Sequence, residues 1–320
     1  MNTTKTTICA FIIFNLALCC VPSCYSQTDE NVTVHFIDVG QGDSIFIDTS
    51  KLDVLIDAGS KSATQTVLDY LANLNITHIH LVIATHAHED HIGGLVGVIN
   101  SNITIDTVLY NNQSHTSATY TNFVSAAQTH NLTVAQRGQT FVLAETATLT
   151  VLNPVQPLQF SDQNDNSVVT KLQVENTTFL FTGDAEEHAE QSMLVSSVAS
   201  LQSDLLKIGH HGSYTATGQN FLDIVDPKYA IISAGLDNKY DHPHNQTLQK
   251  LETKNITTYC TIQTGTIIAQ TNGKTITFLN NPTPITISEI PQNLFLAVFV
   301  LAIIVPLIYK SKITKITHKH

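Results

Sequence analysis

The sequence predicts an α/β fold organised as one domain. The apolar run Ile79 to Ala84 is typical of a buried strand, whereas Thr64 to Asn73 repeats its apolar residues at helical spacing. Hydrophobic residues account for 42% of the 320 residues and charged residues for 13%, a balance that favours a packed core over disorder. Patterns of both kinds recur along the chain, and no internal repeat divides it.

The predicted elements form two runs of strands, each with flanking helices. The turn Gly40-Gln41-Gly42 joins the first two strands, and Asn272-Gly273 closes the last two into a hairpin. The predicted strands are Val32 to Asp38, Ser44 to Asp48, Val54 to Asp57, Ile79 to Ala84, Ile105 to Tyr110, Leu149 to Leu152, Ser167 to Val174, Thr178 to Phe181, Leu205 to Ile208, Tyr229 to Ser233, Thr266 to Ala269 and Thr275 to Phe278. The predicted helices are Thr64 to Asn73, Leu95 to Ile99, Tyr120 to Thr129, Glu186 to Val198 and Gln246 to Leu251.

Three histidines and a carboxylate follow the buried strand Ile79 to Ala84 within six residues. They lie on a loop at the carboxyl end of a strand, where α/β sheets place their ligand sites. Imidazole and carboxylate are common ligands of Zn²⁺ and similar ions. Alternate residues of an extended loop point the same way, so we expect His86 and His88 to bind one ion, and Asp90 and His91 to turn toward a second. The alternative is a solvated, histidine-rich loop.

The run His86 to His91 resembles the His-x-His-x-Asp-His signature of the metallo-β-lactamase superfamily. Further motifs narrow the resemblance to the lactamase-like domain of ComEC/Rec2 competence proteins, and they occur in family order over about residues 32 to 280. These motifs are His35 to Ser44, Asn164 to Val169, Phe181 to Asp184, Leu206 to Ser213 and Asp241 to His244. The resemblance implies a four-layer αβ/βα sandwich and a hydrolase that uses two divalent metal ions.

The resemblance also implies further metal ligands outside the first motif. Asp184 would bridge the two ions, although a helix N-cap is the alternative for an aspartate just before a helix. His210 would join Asp90 and His91 at the second ion, and His211 would support the ligands or contact the substrate.

Other residues are expected to assist the ligands or the reaction. Asp38, Asp43 and Asp57 resemble family residues that orient the ligand histidines. Asp90 could orient the attacking hydroxide, while His211 or His244 could stabilise the developing anion or protonate the leaving group. His244, and less so His242, falls where related enzymes keep a substrate-facing histidine. A surface turn over Asp241 to His244 is the alternative.

One departure from the superfamily affects the first ion. Many members place a third histidine about twenty residues before the bridging aspartate, but the sequence reads Asp162-Gln163-Asn164-Asp165-Asn166 there. Water, Asn164 or Asp165 would fill the gap. We expect Zn²⁺ in both positions, with Mn²⁺ as a competitor once oxygen ligands enter.

Net charge and cysteine content limit the kinds of partner that the sequence predicts. The net charge of −11 argues against broad nucleic-acid binding, which depends on clustered Lys and Arg. It does not exclude a phosphodiesterase, because bound metal ions supply positive charge to the site. Four of the five cysteines fall in the first 24 residues, so Cys260 has no disulfide partner in the domain and no disulfide-linked partner is implied.

The termini predict an exported, single-pass membrane protein with its domain at the cell surface. Residues 1–26 have the charged start, apolar middle and small-residue exit of a signal peptide, with lipidation of Cys24 as an alternative. Residues 30–280 form the domain, 281–290 an extended linker, 291–309 a transmembrane helix and 310–320 a lysine-rich cytoplasmic tail. A buried core helix is the alternative for the apolar C-terminal segment.

Three functions remain open. The first is a membrane-anchored dinuclear-metal hydrolase acting on phosphodiesters, such as a nuclease of the ComEC-like branch. The second is a surface phosphoesterase acting on a small headgroup or nucleotide, which suits the acidic chain better. The third is a non-catalytic binding module on the same fold. A true β-lactamase is disfavoured because the third histidine is missing.

Overall fold

Strands and helices alternate along residues 31–285, which are the residues that the computed structural model describes. The strands are β1 (Val32–Phe36), β2 (Ile45–Asp48), β3 (Val54–Ile56), β4 (His78–Ala84), β5 (Thr104–Tyr110), β6 (Asn131–Val134), β7 (Thr140–Val142), β8 (Ala147–Asn153), β9 (Val169–Val174), β10 (Thr177–Phe181), β11 (Leu205–Lys207), β12 (Tyr229–Ile232), β13 (Thr257–Cys260), β14 (Ile267–Thr271) and β15 (Ile276–Phe278). The helices are α1 (Thr64–Asn73), α2 (Glu89–Ile92), α3 (Leu95–Ile99), α4 (Ala118–Ala127), α5 (Glu187–Leu194), α6 (Gln219–Val225), α7 (Asn245–Thr253) and α8 (Thr261–Thr264).

The strands form two mixed sheets. The first has eight strands in the order β15-β14-β1-β2-β3-β4-β5-β6, and the second has seven in the order β13-β12-β11-β10-β9-β8-β7. In the first sheet β3 to β6 are parallel, and in the second β10 to β13 are parallel. Parallel strands bring their carboxyl ends to one edge, so loops that leave these strands meet at that edge.

Apolar side chains fill three layers between and outside the sheets. The central layer joins both sheets, and its Phe36 and Phe181 rings lie 6.2 Å apart. One outer layer packs α1, α3 and α4 on the first sheet, and the other packs α5, α6 and α7 on the second. Each fully buried phenylalanine or leucine contributes about 1.5–3 kcal/mol. The four-layer αβ/βα sandwich expected from the sequence is therefore confirmed.

Some element boundaries differ from those predicted, because the residues at the predicted end do not pack against a neighbouring element. The helix predicted to run to Val198 ends at Leu194 as α5, because Val195 is already 86% exposed and has no sheet beneath it. The patterns also miss the strands β6, β7 and β13 and the helices α2, α6 and α8. Strands β6 and β13 are edges of their sheets, and an edge strand such as β6 carries no buried alternate residues.

The predicted signal peptide (1–26), transmembrane helix (291–309) and tail (310–320) lie outside the described residues, as does half of the predicted linker. Within residues 31–285, every helix is too short or too polar to cross a bilayer.

A buried ion pair joins the two sheets beneath the loops. Lys207, the last residue of β11, places its Nζ atom 2.8 Å from Oδ2 of Asp43, which lies in the loop between β1 and β2. Both side chains are buried, and the same Nζ donates to the carbonyl oxygen of Ile208 at 3.0 Å. Burial opposes ionisation of Asp43, but Lys207 outweighs it with the help of two imidazoles and lowers the pKa of Asp43 to about 2.

We predict that Lys207→Met lowers the free energy of unfolding by about 3–5 kcal/mol, because it removes the ammonium that pairs with the buried Asp43 carboxylate. Urea denaturation of the metal-free protein measures the change. Lys228→Met is the control, since its ammonium is 75% exposed beside Asp204 and an exposed pair is worth about 0–1 kcal/mol. Equal destabilisation by the two variants would contradict the structural role of the buried pair.

Candidate metal centre

Loops from both sheets converge at the edge where the parallel strands end. The loop after β4 carries the motif His86 to His91, the loop after β10 carries Asp184, and the loop after β11 carries His210 and His211. These loops border a cleft of about 500 Å³. The predicted site residues are thus brought together from three strands of two sheets.

The Asp184 carboxylate lies at the centre of this cluster. Its Oδ2 atom is 3.2 Å from Nε2 of His91 and 3.5 Å from Nε2 of His211. It is 3.7 Å from Nε2 of both His86 and His210. The other oxygen, Oδ1, is buried without a hydrogen-bond partner. One carboxylate oxygen therefore faces four ring nitrogens.

Backbone geometry delivers Asp184 to this position. The preceding residue, Gly183, has φ of 52°, and a Cβ there would lie 3.1 Å from the Cβ of Thr85. Glycine is needed because both the left-handed backbone and the close approach disfavour a side chain. The N-cap of α5 is Glu186 rather than Asp184, so the helix-cap alternative for Asp184 does not hold.

Asp57 orients two of the histidines. Its Oδ2 accepts from Nδ1 of His91 at 2.8 Å and from the hydroxyl of Thr85 at 2.6 Å. That hydroxyl oxygen lies 3.0 Å from Nδ1 of His86 and, since its proton is given to Asp57, it accepts from this nitrogen. Both rings therefore carry a proton on Nδ1 and direct Nε2 at Asp184.

The loop after β11 orients the other two rings. Nδ1 of His211 donates to the carbonyl oxygen of Ser233 at 3.0 Å and lies 3.3 Å from Asp43. Nδ1 of His210 donates to Oε1 of Glu186 at 2.7 Å. His210 and His211 have φ of 47° and 54°, a left-handed backbone that costs about 1–3 kcal/mol per residue and is characteristic of functional sites.

These contacts show that the donor set fits a divalent cation. Four Nε2 atoms face one carboxylate oxygen, so positive charge is required at this place, from a bound cation or from protons on the rings. Burial disfavours the charged form of His211, but Asp184, Asp43 and Asp90 outweigh it and raise its pKa to about 9. The pKa of His91 is raised well above its usual value because Asp184 and Asp57 likewise outweigh burial. In the metal-free chain, protons supply the positive charge that the carboxylates require.

The ligand atoms form two groups around Asp184. In the first, Nε2 of His86 lies 3.0 Å from Nδ1 of His88. In the second, one ligand atom from each residue lies within 4.8 Å of the others; its members are Asp90, His91 and His211. Asp184 lies beside both groups, which is the position that a bridging ligand requires.

The family described as the metallo-beta-lactamase superfamily matches residues 37–235. The chain belongs to the metallo-beta-lactamase superfamily. The fold and the donor set accordingly are those of a metal-dependent hydrolase that uses divalent ions.

Three proteins similar to this chain are named as competence, ComE operon or recombination proteins. ComE operon protein 3 of Bacillus subtilis is 29% identical over 314 residues, covering 89% of this chain and 38% of the relative. Competence protein ComA of Neisseria gonorrhoeae is 29% identical, covering 69% of this chain and 29% of the relative. Recombination protein 2 of Haemophilus influenzae is 28% identical, covering 68% of this chain and 26% of the relative. The chain thus spans well under half the length of these relatives.

Three predicted roles differ in how the structure places the residues. His211 is grouped with Asp90 and His91, while His210 hydrogen-bonds Glu186 through Nδ1 and keeps Nε2 3.7 Å from Oδ2 of Asp184, so its role as a ligand stays a prediction. His242, not His244, lines the cleft.

His244 and Asp38 are held elsewhere. His244 is the N-cap of α7, and its Nδ1 accepts from the backbone N–H of Tyr214 at 3.2 Å. The carboxylate of Asp38 accepts from the Gly40 N–H at 3.1 Å, and among the described residues it contacts none of the ligand histidines. The Asp38 side chain hydrogen-bonds within the turn that follows it and therefore does not orient the ligand histidines.

The structure distinguishes the candidates for the missing third histidine. Asp165 is turned away, since its carboxylate accepts from the Ala189 N–H at 3.1 Å and lies 2.9 Å from Nδ1 of His188. Asn164 lines the cleft, and its Oδ1 atom is buried without a hydrogen-bond partner. Of the two side chains, Asn164 is therefore the one placed to fill the gap, with water as the alternative.

Sequence patterns gave no role to Thr85, Glu186 or Lys207, although each holds a site residue. Thr85 directly precedes the histidine motif, where a side chain that binds the first histidine could have been sought. Lys207 stands inside an otherwise apolar strand, and a lysine there must find a buried carboxylate. Glu186 gives no local signal, because its contact with His210 depends on two separate loops.

We predict that metal binding at pH 7 releases about two protons per chain, since His91 and His211 are protonated in the metal-free protein. Metal affinity should rise with pH at least up to about 9, the pKa of His211. Titration calorimetry in buffers of different ionisation enthalpy measures the release. A binding enthalpy that does not depend on the buffer would contradict this protonation state.

We also predict that Thr85→Val weakens metal binding by about 10- to 100-fold, because it removes the hydroxyl between Asp57 and His86. Competition with a chromophoric chelator measures the affinity. Thr85→Ser keeps the hydroxyl and should bind metal as the wild type does. If the valine and serine variants bind equally well, the hydroxyl does not orient His86.

Proposed function

We propose that the chain is an exported, membrane-anchored phosphodiesterase that uses two divalent ions, with Zn²⁺ the favoured metal. The observation that carries the proposal is the position of Asp184, whose Oδ2 lies 3.7 Å from Nε2 of His86, 3.2 Å from that of His91 and 3.5 Å from that of His211. Two-ion sites of this kind are suited to displacement at phosphorus, where charge develops on both the attacking and the leaving oxygen. The sequence patterns at both termini support export and anchoring.

His86, His88 and Asp184 would hold the first ion, and Asp90, His91 and His211 the second. When bound, the ions would lower the pKa of a water molecule and polarise the scissile bond. The chain's own groups would align the reaction. Burial opposes ionisation of Asp90, but contacts with His211 and His91 outweigh it and lower its pKa, so this carboxylate stays ionised and would orient the attacking hydroxide by accepting a hydrogen bond from it.

His242 and Lys239 complete the proposed site. His242 lines the cleft with a buried Nδ1 atom that has no partner, and burial together with His210 lowers its pKa to about 4. A neutral imidazole at this place can hydrogen-bond to the leaving oxygen. Lys239 contributes an ammonium to the rim, which favours an anionic substrate.

The similarity to competence proteins favours a nucleic-acid substrate, whereas the net charge of −11 favours a small one. A cleft of about 500 Å³ accommodates a nucleotide or a headgroup. A nuclease that acts on single strands satisfies both observations, because it needs to bind only the nucleotides next to the scissile bond. The surface phosphoesterase is the second candidate, and DNA import is not carried over from relatives of which this chain spans so little.

We predict that the metal-loaded full chain in detergent hydrolyses a single-stranded oligonucleotide and bis-p-nitrophenyl phosphate but not nitrocefin. Asp184→Ala should lower kcat/KM about 1000-fold, since it removes several kcal/mol of metal-centred stabilisation. Asp106→Asn, an exposed carboxylate on β5 far from the cleft, is the control.

Each contrary outcome has a definite meaning. Activity that survives Asp184→Ala would refute the mechanism, and hydrolysis of p-nitrophenyl phosphate alone would favour the small-molecule phosphoesterase. Metal binding without hydrolysis would favour the binding module. Cleavage of an oligonucleotide added to intact cells tests the export of the domain.

A further inference from the structure

The rim of the cleft carries aromatic rings that phosphodiester chemistry does not require. Tyr240, in the loop after β12, lines the cleft and is 48% exposed. Its ring stacks on His242 with centroids 5.6 Å apart and an interplanar angle of 24°. His242 contacts the ring of His244 at 4.8 Å, and His244 contacts that of Tyr214 at 4.9 Å. Tyr240 is the member of this row that is both exposed and next to the metal ligands.

We propose that Tyr240 is the stacking surface of a nucleobase subsite: the base of the substrate lies on its ring while the adjoining phosphate lies at the metal ligands. The inference rests on the proposed function for the reaction itself. It adds the class of substrate, which is a phosphoester that carries a nucleobase.

The loop that presents Tyr240 is already ordered. The side chain of Asn238 accepts from the N–H groups of Tyr240 and His242 at 3.2 and 3.0 Å. It donates to the carbonyl oxygens of Gly235 and His242 at 2.8 and 2.7 Å. The N–H of Gly235 donates to Oε1 of Gln41 on the opposite rim at 3.2 Å. Since folding has already ordered this loop, little further entropy is lost when a ligand binds it.

The Tyr240 ring and the Lys239 ammonium favour a nucleobase with its phosphate over an anionic membrane. An exposed tyrosine supported from behind by His242 offers a flat face, and any base can stack there with an affinity gain of about 5- to 150-fold. Nζ of Lys239 lies 4.8 Å from the centroid of the Tyr240 ring, so the ring attracts a cation in the absence of a base. A base that takes this place leaves the ammonium free for the phosphate. An anionic membrane is a poorer fit, because the chain has a net charge of −11.

Two ligands that share the sugar phosphate but differ in the presence of a base measure how much the nucleobase contributes to affinity. Thymidine 5′-monophosphate and base-free 2-deoxyribose 5-phosphate are titrated calorimetrically into the metal-loaded full chain. The wild type should bind the nucleotide about tenfold more tightly. Tyr240→Ala should bring the two affinities to within about twofold of each other by weakening the nucleotide alone, whereas Tyr240→Phe should keep the difference.

Tyr214→Ala is the matched control, because Tyr214 is 61% exposed in the same row of rings but does not line the cleft. It should bind both ligands as the wild type does. The subsite is refuted if the wild type does not distinguish the ligands, or if Tyr240→Ala weakens both equally or neither. Neither ligand is a phosphodiester, so these outcomes do not depend on diester cleavage. Tyr240-dependent binding without diester cleavage would refute the proposed function and leave the subsite standing.

Discussion

The buried carboxylate of Asp184 is the constraint on which the whole site depends. An ionised carboxylate out of water is costly unless positive charge lies against it, and one of its oxygens has no hydrogen-bond partner. A bound cation, or protons on Nε2 in its absence, supplies that charge: four imidazoles direct Nε2 at the other oxygen while acceptors hold their Nδ1 protons. The acceptors that hold those protons come from different parts of the chain: the Asp57 carboxylate with the Thr85 hydroxyl, the Ser233 carbonyl and the Glu186 carboxylate. The cation preference is therefore built by the fold and not by the ligands alone.

The position of this cluster depends in turn on how the sheets are joined. Asp43 contacts His211 with one oxygen and Lys207 with the other. This residue of the loop between β1 and β2 therefore orients a metal ligand and also pairs with a lysine of the second sheet. A shift of one sheet over the other would separate both contacts at once. The ion pair therefore couples the packing of the sandwich to the geometry of its ligands, and a buried pair with such a positional role is better explained by specificity than by net stability.

The parts of the site that could be predicted from the sequence are those encoded locally. The spacing His86-x-His88-x-Asp90-His91 after a buried strand identifies the first ligands because all of them leave the same strand end. The order of His210 and His211 could not be predicted, since two successive left-handed residues abolish the alternation that an extended loop would show. The sequence favours His244 over His242 as the substrate-facing histidine, and the structure places His242 in the cleft. His244 is the N-cap of α7, and the spacing of the motif does not indicate this. Lys207 and Glu186 act only through partners brought close by tertiary packing.

The pairing of β1 with β14 has a consequence for how the chain is made. These neighbours lie at opposite ends of the described sequence, with Gln270 of β14 donating to the Thr33 hydroxyl of β1 at 3.1 Å. During synthesis, β1 and the histidine motif leave the ribosome long before the strand that covers the free edge of β1. A nascent chain in that state exposes an apolar edge to other chains, and long-range pairing of this kind forms slowly. Completion of the C-terminal hairpin is thus the event that protects the protein from aggregation, and a chain truncated before β14 would retain every metal ligand yet remain prone to self-association.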